Sequence, residues 1–222
     1  MLNLDFLKER MMRYLPFIWL VILMIACNRN SDTATRYHED GRAKPIVAIA
    51  SMIDTTSCDS AWSLSEELTS MVVQRMGQGG NLYVSATADD AFTENPFSQD
   101  LTWIKRGFPE QEFVVFLELV EHDTVAANPL KKHLPPQEVS TNLNMAVRVR
   151  VIDLRGSVPT IVLQEMIRDS YFIPKTLIPV DYNAVIWGTD EFRKSPMGIA
   201  HTQLVQEIAS RISEYILLAK SR

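Results

Sequence analysis

Phe113-Val114-Val115-Phe116-Leu117-Glu118-Leu119-Val120 is the stretch that decides the fold. Its first five residues are apolar without a break. Extended, they bury both faces, as a central strand does when it is covered above and below. A short run rich in β-branched and aromatic residues suits a strand better than a buried helix. A sheet therefore forms the centre of the molecule, and this strand lies inside it.

Toward the C-terminus, Leu143, Met145, Val147, Val149 and Val151 alternate with Asn144, Ala146, Arg148 and Arg150. That period predicts a strand with one buried and one wet face. Asp153 to Ser157, with Gly156, turns the chain, and Thr160 to Phe172 returns as the hairpin partner. Ser195-Pro196 then supplies the N-cap and first-position proline of a last helix. Its core stripe is Leu204, Ile208, Ile212 and Tyr215 or Ile216.

Toward the N-terminus, Pro45 to Ala50 predicts a buried strand. Ser63-x-x-Glu66 is a capping box, and it opens a helix whose apolar positions are Leu64, Leu68, Met71, Val72 and Met76. Gly77-Gln78-Gly79-Gly80 follows that helix and precedes a strand over Asn81 to Ala86. A phosphate-binding loop must follow a strand and open a helix, so these glycines form a C-terminal cap and turn. A short helix is expected around Gln99 to Arg106. Long loops are expected over Asp123 to Thr141 and after Pro174. The order β-α-β-α-β-β-β-α predicts an α+β fold over a single domain, residues 45–222. It is a mixed sheet of about five strands with helices packed on one face.

Residues 28–44, NRNSDTATRYHEDGRAK, are too polar to offset their ordering entropy by burial and predict a flexible tether. Before them runs Leu15 to Cys27, LPFIWLVILMIAC. It is shorter than the ~20 residues a membrane span requires. With Arg13 ahead of it, and Lys8 and Arg10 further upstream, it fits a secretory signal over residues 1–27. Leu23-Met24-Ile25-Ala26-Cys27 resembles a bacterial lipobox, with Ala26 as the small residue before the cut and Met24 where leucine is usual. The resemblance implies that Cys27 carries a palmitate-containing lipid and tethers the chain to a membrane of the bacterial cell envelope. Asn28 is not the aspartate that retains lipoproteins at the inner membrane, which implies the outer membrane, facing the periplasm.

The element order, with a first strand running into polar Asp54-Thr55-Thr56, is similar to a group of bacterial envelope domains. The group includes the lipoprotein activator of penicillin-binding proteins, the curli secretion lipoprotein and the N-terminal domain of the Tol translocation protein. It implies a binding or scaffold module for an envelope protein or peptidoglycan, with no catalytic residues. Two alternatives stand beside it, a subunit of an outer-membrane secretion channel and a periplasmic hydrolase.

The net charge of -5 and the lack of a basic run argue against nucleic-acid binding. Once Cys27 is acylated, Cys58 is the one remaining cysteine, which leaves no disulfide framework. Neither a Gly-x-Ser-x-Gly elbow nor a His-Glu-x-x-His pair occurs. His122-Asp123 resembles half a metal site, His133 lies in a proline-bounded loop, and His201 starts the last helix, where packing on the sheet is expected. Glu118, Glu121, Asp153 and Glu165 lie on strands and leave carboxylate-pair hydrolysis open. No catalytic residue, metal or cofactor is assigned. For partner binding the candidates are Tyr182, Trp187, Phe192 and Arg193, in a segment without helix or strand period. Hot-spot residue types concentrate there on a loop, although Trp187 could instead fold back over the sheet edge.

Overall fold

The computed structural model describes residues 36–56, 62–86, 94–128, 130, 139–175 and 187–222. Within them the strands are β1 (Ile46–Ile49), β2 (Ile53–Asp54), β3 (Tyr83–Ala86), β4 (Phe113–Ala126), β5 (Thr141–Asp153) and β6 (Thr160–Ile173). The helices are α1 (Leu64–Gln78), α2 (Ile104–Gly107), α3 (Asp190–Lys194) and α4 (Pro196–Lys220). The sheet runs β3-β1-β4-β5-β6, with β2 pairing to β4 further along that strand. β1 is parallel to both β3 and β4, and β4, β5 and β6 are antiparallel. The mixed sheet is the one expected, and so is the element order apart from β2 and α3, which fall outside the strands and helices expected.

The long helices α1 and α4 cover one face together. Val47, Ile49, Phe113, Val115, Leu117, Val147, Val149 and Val151 meet Leu68, Val72, Leu204, Ile208 and Ile212 there, each 0–1 % exposed. Burial of one such side chain contributes about 1.5–3 kcal/mol. The short α2 differs from expectation, because it lies on the reverse face. There Trp103, Ile104 and Phe108 close over Ala48, Val114, Phe116 and Ile152. Handedness explains the split. The chain steps one way from β1 to β3 through α1, then back past β1 to β4, and two right-handed crossovers in opposite directions must use opposite faces. The doubly apolar start of β4 is satisfied by these two covers.

Arg150 anchors the reverse cover. Its guanidinium donates to the carbonyls of Pro96, Phe97 and Ser98 at 2.8, 3.0 and 2.7 Å, and to Gln164 Oε1 at 2.8 Å. Only 5 % exposed, it replaces water for a run of loop carbonyls that would otherwise be orphaned. The predicted wet residue is thus a buried clamp.

Several expected boundaries move. The strand from Phe113 continues to Ala126, because β5 offers partners as far as Thr141. The expected helix around Gln99 to Arg106 is confined to Ile104–Gly107. Ser63 caps α1 as the sequence requires, accepting from Glu66 N at 3.2 Å. The glycine cluster ends that helix, with Gly80 at φ +69. The expected tether divides. Residues 28–35 lie outside the described residues, while 36–44 fold as a tight hairpin. In it Tyr37 bridges to Ala43, Lys44 N donates to Arg36 O at 2.9 Å, and the Arg36 guanidinium lies over the Tyr83 ring.

Candidate functional site

The densest chemistry among the described residues is a buried polar chain where α1, β4 and α4 meet. Glu67, in the first turns of α1, accepts from the Trp62 indole N–H at 2.9 Å through Oε2. Its Oε1 lies 2.6 Å from His201 Nδ1 on α4, and His201 Nε2 lies 3.0 Å from His122 Nε2 on β4. Glu67 and His201 are wholly buried and His122 is 6 % exposed. A carboxylate near the N-terminus of α1 also gains from the helix dipole. Phe192 roofs the chain, with its ring 5.7 Å from that of His201 and edge-on to Trp62 at 5.6 Å.

An irregularity in β4 makes this meeting possible. Phe113, Val115, Leu117 and Leu119 face the helices, and strict alternation would send Glu121 after them. The β4–β5 register shifts between Leu119 and Glu121, leaving Val120 unmatched. Beyond the bulge His122, opposite Met145, faces the helices instead, and Glu121 and Asp123 turn to the reverse face.

With Glu67 ionised it accepts the His201 Nδ1–H, so one hydrogen is left for the contact between the two Nε2 atoms. Burial holds His122 mainly neutral. Its pKa falls to about 4, first through desolvation and then through His201, against upward pulls from its own backbone, Glu67 and Asp54. The chain can carry a proton internally, between side chains that are all buried.

Of the four partner-binding candidates, Trp187, Phe192 and Arg193 lie within the described residues. Cys27, Tyr182, Cys58 and His133 lie outside the described residues. Trp187 is half-buried. Arg193 is exposed on α3 and ion-paired with Asp190. Phe192 is 2 % exposed and belongs to the core roof. Thr189 caps α3 by accepting from Phe192 N at 3.2 Å, and this orients Phe192 inward and Arg193 outward. Asp123 does not join His122, and among the described residues no group of three or more His, Cys, Asp or Glu is placed to hold a metal ion. Three of the four strand carboxylates are ion-paired elsewhere, Glu118 with Arg148 at 2.9 Å, Glu121 with Arg168 at 3.4 Å and Asp153 with Arg155 at 2.7 Å, while Glu165 Oε1 is buried without a hydrogen-bond partner among the described residues. The Glu67–His201–His122 chain was not legible from the sequence, since its members are 55 to 134 positions apart and the bulge that turns His122 toward the helices leaves no mark in the pattern.

The model of a family of unknown function, DUF7499, matches residues 33–220. Among solved structures, the hypothetical protein CT253 of Chlamydia trachomatis is 22 % identical over 78 % of this chain and 98 % of its own, with a TM-score of 0.62, so the two share a fold. Protein XCC0632 of Xanthomonas campestris is 8 % identical over 81 % of this chain and 87 % of its own, with a TM-score of 0.47. A lipoprotein of Neisseria meningitidis, GNA1162, is 11 % identical over 75 % and 99 %, with a TM-score of 0.40. These two are too distant to bear on the argument. No curated protein matches the chain.

Proposed function

Since the chain belongs to this family of unknown function over residues 33–220, its role has to be read from its own residues, and we propose that it is a lipid-anchored protein of the bacterial envelope whose domain binds another envelope protein or a cell-wall component. The observation that carries this reading is the sequence Leu23-Met24-Ile25-Ala26-Cys27 at the end of a short apolar run. Residues 1–27 serve as the signal, and the lipid on Cys27 attaches the mature chain to the outer membrane on its periplasmic side. Two or more acyl chains, at ~0.8 kcal/mol per buried methylene, make such an anchor stable.

A binding role is supported by the way the polar groups are used. Among the described residues, the cluster densest in chemistry is roofed by Phe192 and buried. The β5–β6 hairpin is committed to the core, with Val147, Val149 and Val151 wholly buried beneath the helices. That commitment argues against the secretion-channel alternative, in which such a hairpin would enter the membrane. Segment 187–195 presents Arg193 and part of Trp187 on a rigid base, with Tyr182 ahead of them in the chain.

Radiolabelled palmitate should enter the wild-type protein in growing bacteria and be lost in Cys27→Ala. Equal labelling of the two would reject the anchor. For the partner surface, Arg193→Glu should leave stability within about 0.5 kcal/mol, as exposed substitutions do. In-cell cross-linking should then capture less of whatever envelope species the wild type holds. Unchanged capture would remove this segment from the binding surface.

A further inference from the structure

The imidazole pair does more than fill the core. We propose that the His122–His201 contact is an acid-operated latch, which holds segment 187–195 closed on the domain and releases it when a second proton enters the pair. The proposal is independent of the lipid anchor and concerns the folded domain alone.

The geometry sets the condition. Two Nε2 atoms 3.0 Å apart share one hydrogen. With both rings in the imidazolium form, two Nε2–H groups point at each other across that distance and two positive charges meet in a site that is 0–6 % exposed. Glu67 on α1 can balance one of those charges, and its second oxygen is already taken by Trp62. Asp54, on β2, also acts on His122, but it is exposed and bonded to Thr56, and its pull is the weakest of those on the ring. β5 opposes His122 with the uncharged Met145, and α3 contributes only the Phe192 ring, against His201. No further charge on these elements faces the pair.

The cheapest relief is on the roof. His201 is held between Phe192 and His122, on the second turn of α4, and α3 rests on the first turn of that helix through Phe192. α3 is five residues long, and among the described residues it is held by the Thr189 cap, the inward Phe192, its backbone seated on Gly198 and its junction at Ser195. β4, in contrast, is hydrogen-bonded to β5 along its whole length. Lifting α3 uncovers His201 and, through it, the Nε2 of His122, and so admits water to both rings without breaking the sheet.

The sign follows from His122. In the closed domain it takes up a proton only near pH 4, whereas an imidazole exposed to water does so at its ordinary 6.5. The opened form therefore binds more protons between those values and is favoured increasingly as pH falls from 6.5 to 4. Above 6.5 the latch is fully closed.

The test is amide hydrogen exchange on the full chain in detergent micelles, expressed as protection factors so that the intrinsic pH dependence drops out. Between pH 7 and pH 5, protection over residues 187–195 should fall by roughly tenfold or more, while β4 and β5 stay protected. In His122→Gln, which keeps a hydrogen-bonding group and cannot be protonated, the change should stay within about threefold. Nitrogen-15 spectra of the wild-type histidine rings give a check that needs no variant, since His122 should gain its proton over the pH range in which protection is lost. Constant protection of 187–195 down to pH 4 would overturn the latch. So would loss shared equally by β4 and β5, or the same loss in His122→Gln.

Discussion

Glu67→Leu should cost the domain about 2–6 kcal/mol, the cost of leaving two donors without their acceptor at ~1–3 kcal/mol each. Leucine is close in volume, so the loss is not one of packing. It arises because the Trp62 indole N–H and His201 Nδ1 both lose their acceptor at a place where water cannot replace it. Urea unfolding at pH 7.5, with the slope m compared between variants, measures it. A loss below about 1 kcal/mol would mean that Trp62 and His201 find other partners, and the buried chain would then be incidental to stability. Glu67→Gln should fall between, since it keeps an acceptor for one donor and presents its own N–H groups to the other.

Gly198→Ala is the second large effect, and its sign runs against helix propensity. In an exposed helix the change gains up to about 1 kcal/mol. Here a Cβ would stand 2.0 Å from Phe192 O, 2.8 Å from Phe192 C and 3.1 Å from Arg193 Cα, all backbone atoms. Backbone cannot rotate aside as a side chain does, so α3 must leave its seat on α4. A net loss of about 2–3 kcal/mol is expected, in the upper part of the range for overpacking. It should come with a change in Trp62 fluorescence as Phe192 withdraws from the indole. An unchanged or higher midpoint of unfolding would show that α3 yields at no cost, and that its contact with α4 is loose.

Legibility in the sequence followed the period of the buried faces. The alternation from Leu143 to Val151, the Ser63 and Ser195 caps and the proline after the latter each stated one local preference, and tertiary packing agreed with it. What failed depended on count or on distance. His122 lies an odd number of positions from Leu119, and a period of two therefore sends it to the face opposite Leu119; only the unmatched Val120 reverses that. Phe192 and Arg193, neighbours in sequence, looked alike as candidates for a contact surface, but the step of about 100° between helix neighbours sends one inward and the other out. Arg150 looked solvated because alternation reports a face without reporting what covers it. The carbonyls it binds belong to a loop some fifty positions earlier.

The way the chain enters the sheet has a mechanical side. Tension arriving from residues before Arg36 meets the hairpin of 36–44 first. That hairpin hangs on a single bridge and a few hydrogen bonds, and it opens by peeling, one bond at a time. Drawn out, its nine residues would give about 30 Å of slack at ~3.3–3.6 Å each. The next element is β1, gripped on both sides by parallel neighbours. A pull along β1 loads both ladders in shear, so that many bonds must fail together. The domain thus carries a weak fuse ahead of a strong clamp, and a tug on its N-terminal side spends itself in extension before it reaches the core.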